Sequence, residues 1–451
     1  MSRERLVIIG GDAGGMSAAA QARRMRADLE IVAFERGDYT SYSACGLPYV
    51  VGGVVADFDR LVARTPAQFQ AQGIDARVRH EVEAIDLKAR RLTVRALDTQ
   101  TVRQEAYDQL VYATGGIPVR PELPGSDVRG IHGLQTMGDG IRLAEMMTQT
   151  GPKTAVVIGG GYIGLEVAEA LIQRGLDVSL VNRTDAVMTS LDPDMSDLVG
   201  DALRAEGVHL YPGESAEAFE SRAGMVTAVV TARRTLPADL VILGIGTAPN
   251  AGLAREAGIP LGATGAVKVN DRLQTEADGV WSAGDCAESF HLVSGRWVNL
   301  ALGTIANKQG RICGINLGGR EAHFRGVVGT AVTKVCALEV ARTGLHEQDL
   351  EALGIPYVTA RIESTTRAGY YPGAGTITVK VLAEKKTGRL LGAQIIGVEG
   401  AAKRIDAFAT ALHARMTVQE FQYLDLSYAP PFSPVWDPTL IAARKAAEQI
   451  A

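Results

Sequence analysis

Residues 154–175 read TAVVIGGGYIGLEVAEALIQRG and contain the pattern that decides the fold. A run rich in β-branched residues leads into a glycine turn, and apolar residues then repeat every four positions. A strand, a glycine turn and an amphipathic helix in this order are typical of a β-α-β unit that binds a dinucleotide. Gly159, Gly161 and Gly164 would in turn form the tight turn, admit the pyrophosphate and let helix and strand pack closely.

A second copy of this pattern lies near the start of the chain, in LVIIGGDAGGMSAAAQARR at 6–24. It differs at its centre, where Asp12 replaces the middle glycine. The next predicted strand ends at Glu35, and a carboxylate there can accept hydrogen bonds from both hydroxyls of an adenosine ribose. The candidate binding residues of this unit are Gly10, Gly15, Glu35 and Arg36. The chain is therefore predicted to contain two Rossmann-like nucleotide-binding units.

The second unit differs from the first in how its next strand ends. Asn182 stands where the first unit has its carboxylate, and Arg183 follows it. A ribose 2′-hydroxyl would find no acidic partner here, whereas a 2′-phosphate would find a cation. We therefore predict that this unit prefers NADPH or uses both NADPH and NADH.

Composition excludes several classes of protein. The chain has 451 residues, of which 46% are hydrophobic and 22% charged, with a net charge of −5. No Lys/Arg block could follow nucleic acid phosphates, and no apolar run reaches the about 18 residues of a membrane helix. Four cysteines without C-x-x-C spacing argue against a disulfide framework or a metal site. We expect an enzyme of the cytoplasm, with neither a nucleic acid partner nor a membrane segment.

The second nucleotide unit is predicted to be inserted into the first. GVWSAGDCAE, at 279–288, reads as a return to the first unit, and after about residue 325 the pattern changes to strands of an antiparallel sheet followed by a helix. The predicted domains are residues 1–150 with 246–325, residues 151–245, and an α+β domain at 326–451. The predicted fold class is α/β with two Rossmann-like domains.

Cys45 stands alone in SYSACGLPYVVGG, at 41–53, and the next cysteine along the chain is Cys286. It could be a buried filler, half of a disulfide made elsewhere or a lone redox nucleophile. Two dinucleotide sites together with one such cysteine indicate a relay from a nicotinamide through a flavin to a sulfur. Cys286, Cys313 and Cys336 are expected to be packing residues.

Together these motifs resemble those of the flavin-dependent pyridine nucleotide–disulfide oxidoreductases, over nearly the whole chain. The chain is most similar to the single-cysteine branch: coenzyme A-disulfide reductases, NADH oxidases and NAD(P)H polysulfide or persulfide reductases. Beyond the first glycine turn, the matching motifs are CGLPY at 45–49, ATG at 113–115, GGGYIGLE at 159–166, AGD at 283–285, ANKQGR at 306–311, YYPG at 370–373 and SYAPPFSPVWDP at 427–438. Two-cysteine relatives carry their second cysteine where this chain has Val50, so the reactions of that branch are disfavoured.

The resemblance implies FAD in the first unit, NADPH or NADH in the second, and a C-terminal dimerisation domain. It implies that Asp285 binds the ribityl chain of the flavin, that Thr114 and Gly115 line the flavin, and that Glu166 lies near the nicotinamide. Cys45 would lie at a helix start beside the flavin, where helix N–H groups and the flavin would stabilise its thiolate.

The resemblance also implies a homodimer in which the C-terminal domain of one subunit completes the site of the other. Tyr428 and Tyr370 would protonate the leaving thiolate, with Tyr371 as the alternative register for Tyr370. Positions matching coenzyme A contacts are Ser17, Gln21, Arg24, Ser41 and Asn307. Ala44 departs from the Asn that often precedes the cysteine.

Three functions remain open at this point. The leading prediction is an NAD(P)H-dependent reductase of coenzyme A disulfide, or of persulfides or polysulfides, in which Cys45 forms a mixed disulfide. The second is an NAD(P)H oxidase or peroxidase in which Cys45 becomes a sulfenic acid. The third is a flavoprotein redox sensor whose turnover is incidental.

Overall fold

The computed structural model describes residues 3–450, and its first unit is built around a five-stranded parallel sheet. In spatial order the strands are Val280–Ser282, Gln109–Tyr112, Arg5–Ile9, Glu30–Phe34 and Ile74–Arg77. The helices Ala13–Met25 and Gly303–Leu317 pack against each other beside this sheet. Since one strand comes from residues 280–282, the chain leaves this unit and later returns to it.

Smaller elements complete the first unit. Its antiparallel three-stranded sheet consists of His80–Asp86, Arg91–Ala96 and Thr101–Ala106, and a further strand pair consists of Ser289–Phe290 and Trp297–Val298. Its short α-helices are Leu47–Val51, Pro66–Gln70 and Gly252–Glu256, and its 3₁₀ helices are Ala44–Gly46 and Phe58–Leu61.

The second unit has its own five-stranded parallel sheet. In spatial order the strands are His209–Pro212, Asp177–Asn182, Thr154–Ile158, Leu240–Leu243 and Ile131–His132. Its helices are Met137–Thr150, Tyr162–Gln173 and Pro193–Ala205, and its antiparallel sheet consists of Ala216–Arg222, Met225–Thr231 and Thr235–Pro237.

The sheet of the second unit begins earlier in the chain than the sequence indicated. Ile131–His132 pairs with Leu240–Leu243, and Met137 and Leu143 share a core with Leu165. The unit therefore starts before residue 151, where the sequence placed its beginning. A two-residue strand is too short to produce a periodic signal.

The chain passes between the two units through a neck of two antiparallel strands, and the units also meet where the helix Leu47–Val51 packs against the helix Tyr162–Gln173. Gly116–Pro118 pairs with Thr247–Pro249, so the chain enters and leaves the second unit through neighbouring strands. The Val119 N–H also donates to the Gly246 carbonyl at 3.0 Å.

The C-terminal domain is an antiparallel sheet with helices packed on it, which confirms the predicted α+β class. In spatial order its strands are Ala331–Val335, Leu338–Gly344, Leu390–Gly397, Thr376–Glu384 and Tyr357–Thr365. Its helices are Glu347–Leu353, Ala401–Ala414, Val418–Phe421 and Pro438–Ala447. The stacked rings of Phe408 and Phe421, 4.4 Å apart, lie in its core.

A buried ion cluster holds the second unit against the C-terminal domain. Lys380 is 4% exposed, and its Nζ lies 3.1 Å from Asp192, 2.7 Å from Asp194 and 3.0 Å from Glu347. Gln394 bonds to Asp192 as well. None of the helices between residues 3 and 450 is both long enough and apolar enough to cross a membrane.

Candidate active site

The second glycine turn leaves open space at its central glycine. A Cβ on Gly159, whose φ is +102°, would lie 2.4 Å from the Gly244 carbonyl oxygen, and one on Gly164 would lie 1.9 Å from that of Gly159. Packing alone therefore requires these two glycines. At Gly161, by contrast, the nearest atom is 4.0 Å away, at the N-terminus of the helix Tyr162–Gln173. This geometry fits a pyrophosphate approaching the backbone.

Arg183 is exposed at the end of the next strand, and no ion pair or hydrogen bond of its side chain is found within residues 3–450. Asn182 is buried instead: its Oδ1 accepts from the Gly160 N–H at 3.0 Å, and its Nδ2 donates to Thr184 and Ala186. Asn182 thus braces the turn, while Arg183 is the group at this strand end that can reach a ligand.

Glu166 is held by a residue of the C-terminal domain. It lies on the helix that begins at the glycine turn, and its Oε1 accepts a 2.6 Å hydrogen bond from the Thr333 hydroxyl. Burial raises the pKa of Glu166, while the Thr333 hydrogen bond acts in the opposite direction. The carboxyl group is therefore easier to protonate than an exposed glutamate.

In the first glycine turn, as in the second, the first and last glycines leave no room for a side chain. A Cβ on Gly10, whose φ is +107°, would lie 2.1 Å from the Ala113 carbonyl oxygen, and one on Gly15 would lie 2.0 Å from that of Gly10. These contacts bring the first helix tightly onto its sheet. Its N-terminus thereby faces the carboxyl ends of the strands, where nucleotides bind in such sheets.

Asp12 connects this turn to the loop that carries Cys45. Its Oδ1 accepts from the Tyr42 N–H at 3.1 Å, and its side chain caps no N–H of the helix that follows. Burial, together with the nearby charges of Glu35 and Asp285, raises the pKa of Asp12 to about 7. A protonated carboxyl at this position would be compatible with a nearby phosphate.

Glu35 is bound by backbone on both of its oxygens. Oε2 accepts from the Gly11 N–H at 2.7 Å and Oε1 from the Gly37 N–H at 2.6 Å. Each carboxylate oxygen keeps a further lone pair for a ribose hydroxyl. Arg36 is exposed and lies 3.6 Å from Glu81, with which it forms an ion pair.

Among the residues predicted to bind the flavin, Gly115 and Asp285 are free to contact a ligand, whereas the Thr114 hydroxyl is bonded within the protein. Gly115 has a φ of +70° and no neighbour within 4 Å of a Cβ position. Burial raises the pKa of Asp285, whose carboxylate has no hydrogen-bond partner among residues 3–450. A half-buried carboxylate of this kind fits a polyhydroxylated chain. The Thr114 hydroxyl, however, donates to the Asn250 carbonyl at 2.7 Å, so its proton is already used in a hydrogen bond within the protein.

Cys45 is exposed and stands in the 3₁₀ turn Ala44–Gly46, directly before the helix Leu47–Val51. Val50, at the position of a second cysteine in two-cysteine enzymes, is 6% exposed and packs in the core. The other three cysteines are buried, and none of the four is in a disulfide. Of the interpretations given above, this geometry favours a lone nucleophile.

One expectation for Cys45 differs from the structure. The polypeptide raises the pKa of this thiol, first through desolvation and then through the charges of Glu166 and Asp285. The backbone N–H of Cys45 itself lowers the pKa, but by less than burial and these carboxylates raise it. A lowered thiol pKa would have to come from a bound group.

The residues predicted to contact coenzyme A lie on two packed helices and one loop. The Ser17 hydroxyl donates to Asn307 Oδ1 at 2.8 Å, which places the helices Ala13–Met25 and Gly303–Leu317 side by side at this point. Gln21 is half-buried and Arg24 is exposed. Ser41, with a φ of +48°, accepts the Ala63 and Arg64 N–H groups on its carbonyl oxygen.

Tyr370 and Tyr428 lie together on the surface of the C-terminal domain, 77% and 46% exposed. Tyr370 lies close enough to raise the pKa of Tyr428, with a smaller effect of desolvation. Tyr371 is less exposed, and its ring faces the Arg367 guanidinium at 6.0 Å. The structure therefore pairs Tyr428 with Tyr370.

Some residues that organise the site were absent from the predicted set. Gln309 is fully buried, and its Oε1 accepts from the Gly284 N–H at 2.8 Å, which fixes the loop carrying Asp285. Its presence in the ANKQGR motif was the available signal. Thr333 contacts a residue far away in sequence, so no local pattern could have shown it.

Comparison with known proteins shows the family. The model of the pyridine nucleotide-disulphide oxidoreductase family matches residues 4–310, and that of the family's dimerisation domain matches residues 330–438. The chain belongs to this family, whose members are FAD-dependent enzymes that use NAD(P)H.

Individual relatives indicate which members of the family the chain resembles. The chain is 38% identical over 444 residues to an NAD(P)H sulfur oxidoreductase (CoA-dependent) of Pyrococcus abyssi, covering 98% of each chain. It is 31% identical to a coenzyme A disulfide reductase of Staphylococcus haemolyticus, covering 95% of this chain and 96% of that one. An NAD-dependent persulfide reductase from A. fulgidus superposes with a TM-score of 0.96 at 37% identity, over 99% of this chain and 83% of that one. NADH oxidases are among the further matches.

Proposed function

We propose that this enzyme uses NAD(P)H to reduce the disulfide or persulfide of coenzyme A, through a mixed disulfide on Cys45. The observation that carries the proposal is an exposed cysteine with no partner, since a buried Val50 occupies the place of a second one. The sulfur-reducing relatives support the same chemistry.

The reaction balances without a second protein cysteine. The Cys45 thiolate attacks one sulfur of the substrate disulfide, forms the mixed disulfide and expels one coenzyme A thiolate. NAD(P)H supplies two electrons that cleave the mixed disulfide and release the second thiolate, so one NAD(P)H and one proton give two thiols. Bound FAD provides the electron path from nicotinamide to sulfur.

The leaving thiolate needs a proton, and the paired tyrosines are the candidate donors. Tyr370 and Tyr428 are near each other, so one of them could donate while the other stabilises the resulting phenolate. Both are exposed on the C-terminal domain, as required if they reach the site of a second copy. Exposed Phe432, Val435 and Trp436 on the same domain support a homodimer as well.

Substrate binding would use the packed helix pair. Ser17 and Asn307 contact each other there, and Gln21 and Arg24 follow along the first helix. Lys308 and Arg311 are exposed on the second helix and add positive charge for phosphates. Ser41 would contact the substrate near the thiol.

The exposed and unpaired Arg183 supports NADPH as a coenzyme of the second unit, with NADH as the alternative. A guanidinium can hold a 2′-phosphate through two hydrogen bonds. Since coenzyme A and NADPH are metabolites of the cell interior, the proposed location is the cytoplasm.

The mass of the intact, unreduced protein tests the proposal directly. We expect an adduct of one coenzyme A that reductant removes and that is absent from Cys45→Ser. Cys45→Ser should also lose turnover with coenzyme A disulfide while its flavin is still reduced by NAD(P)H. A single added oxygen with rapid oxygen consumption would favour the oxidase instead, and negligible turnover with every disulfide and with oxygen would favour the sensor.

A further inference from the structure

Arg404 lies at the point where the two tyrosine-bearing loops of the C-terminal domain meet. The Tyr370 loop (366–375) connects two strands of the sheet, and the Tyr428 loop (427–437) precedes the last helix. Arg404 belongs to neither loop, because it lies in the first turn of the helix Ala401–Ala414.

A single guanidinium binds both loops. Nη2 of Arg404 donates to the Thr366 carbonyl at 2.9 Å and to the Phe432 carbonyl at 2.8 Å. Thr366 precedes Tyr370 by four residues, and Phe432 follows Tyr428 by four. Each tyrosine therefore has, four residues away along the chain, a carbonyl group that is hydrogen-bonded to Arg404.

A buried carboxylate orients this guanidinium. Arg404 Nε lies 2.8 Å from Asp437 Oδ2, and the two side chains are 13% and 10% exposed. Asp437 is itself held by the Ser433 hydroxyl at 3.1 Å and by the Thr439 N–H at 2.9 Å. The planar fork of arginine can meet a carboxylate and two carbonyls at once, which the point charge of lysine cannot.

The loops make only limited direct contact with each other. The Ala368 N–H donates to the Pro430 carbonyl at 3.1 Å, and the two tyrosines lie near each other at the surface. Both tyrosine rings are exposed, so little packing fixes their separation. The buried guanidinium is therefore the main restraint on how the hydroxyls face each other.

We infer that Arg404 is a positioning residue that keeps Tyr370 and Tyr428 in the arrangement needed to protonate the leaving thiolate. The inference rests on the proposed function, because it assigns a support to that tyrosine pair. The bonds of the Arg404 side chain all go to groups of the protein, and it is only 13% exposed. Proton transfer depends on donor geometry at the level of an ångström, so a small shift of either loop would lower turnover.

A double-mutant cycle tests the inference. Arg404→Lys and Arg404→Met should each lower kcat with coenzyme A disulfide by about 10-fold to 100-fold, with the larger effect for methionine. Reduction of the flavin by NAD(P)H, followed by stopped-flow absorbance, should stay within about twofold of wild type, as should KM. In the background of Tyr370→Phe with Tyr428→Phe, the same Arg404 substitutions should cause no further loss.

Lys403→Met is the matched control. Lys403 neighbours Arg404 on the same helix, is exposed and pairs only with Asp406, so its replacement should leave kcat and the dimer unchanged. Dimer state is measured by light scattering and thermal stability by calorimetry for every variant.

The outcomes separate the inference from the proposed function. If Tyr428→Phe leaves disulfide turnover intact, the proton role in the proposed function fails, and the inference fails with it. If the tyrosine variants lose turnover but the Arg404 variants do not, only the inference fails. A further loss in the tyrosine-free background, or dissociation of both Arg404 variants into monomers, would show that Arg404 supports the fold instead.

Discussion

The Thr333 hydroxyl donates a 2.6 Å hydrogen bond to Glu166, so the C-terminal domain contacts the helix that begins at the second glycine turn. Burial raises the pKa of Glu166 above its ordinary value of 4.5, and this hydrogen bond counteracts the rise by stabilising the carboxylate. The protonation of a residue expected near the nicotinamide is thus set partly by another domain.

Replacing Thr333 by Val should raise the pKa of Glu166 further. If the ionised carboxylate is needed beside the nicotinamide, the acid side of the pH profile for flavin reduction will move to higher pH. Stopped-flow measurement across a pH series tests this, and Glu166→Gln should remove that pH dependence. Thr330→Val, which removes a hydroxyl bonded to Thr343 instead, is the control. Coincident profiles for Thr333→Val and wild type would refute the coupling.

Asp12→Asn should stabilise the protein most at alkaline pH. The pKa of Asp12 is about 7 in the folded protein and about 3.8 in the unfolded chain, so folding is increasingly disfavoured as pH rises between these values. The asparagine removes this penalty while still accepting the Tyr42 N–H. The gain in unfolding free energy should be larger at about pH 8 than at about pH 5, by on the order of 2 kcal/mol. Thermal unfolding at the two pH values measures it, and equal gains would contradict the assignment.

The thiol of Cys45 should react slowly in protein stripped of flavin. Because desolvation and the carboxylates of Glu166 and Asp285 raise its pKa, the pH midpoint for alkylation by iodoacetamide should lie above 9.0. Reloading with FAD should move that midpoint downward if the bound flavin stabilises the thiolate. Cys45→Ser is the control, since the remaining cysteines are buried. A midpoint below 9.0 without FAD would show that the polypeptide alone activates the thiol.

Arg183→Ala should selectively weaken the use of NADPH. Losing hydrogen bonds to a charged phosphate costs about 1.5–3 kcal/mol, or roughly a 10-fold to 100-fold fall in kcat/KM. The value for NADH should change little. Arg204→Ala removes an exposed arginine of the same unit that pairs with Asp201, and it should change neither value. Equal losses for both coenzymes, or a strong NADH preference in the wild type, would contradict the prediction.

Lys380→Met should destabilise the protein strongly. Removing the ammonium group leaves Asp192, which is 1% exposed, as a buried uncompensated charge, at a cost of about 3–5 kcal/mol. The partners raise the pKa of Lys380, so its stabilising effect persists at neutral pH and is lost only as pH rises through this raised value. Denaturant unfolding should show the loss, and Lys386→Met, at an exposed position, should not. A change under 1 kcal/mol in Lys380→Met would refute the assignment.

The sequence allowed prediction of features that repeat locally. The two glycine turns, the strand–helix alternation and the isolation of Cys45 all depend on short spacings that fold in place. The fold class, the family and the FAD and NAD(P)H cofactors agreed with these predictions.

Features that depend on distant contacts were not predictable in this way. The strand Ile131–His132 becomes visible only through its partner Leu240–Leu243. The raised pKa of Cys45 results from desolvation and then from Glu166 and Asp285, which meet it only in three dimensions. Thr114 matched a motif, but its hydroxyl is occupied by Asn250 of a later segment.

The neck formed by Gly116–Pro118 and Thr247–Pro249 makes the second unit exchangeable. Because both of its chain ends lie side by side, segment 119–246 could be transplanted from a homologue with the opposite coenzyme preference by joining at two neighbouring points. A chimaera made in this way would change the electron donor while keeping Cys45 on the recipient scaffold, provided that the transplanted segment also has a glutamate at position 166, because Glu166 acts on the Cys45 thiol. Coenzyme choice can therefore change in this architecture without altering the sulfur site, as long as the contacts of Glu166 with Thr333 and of Asp192 with Lys380 are kept.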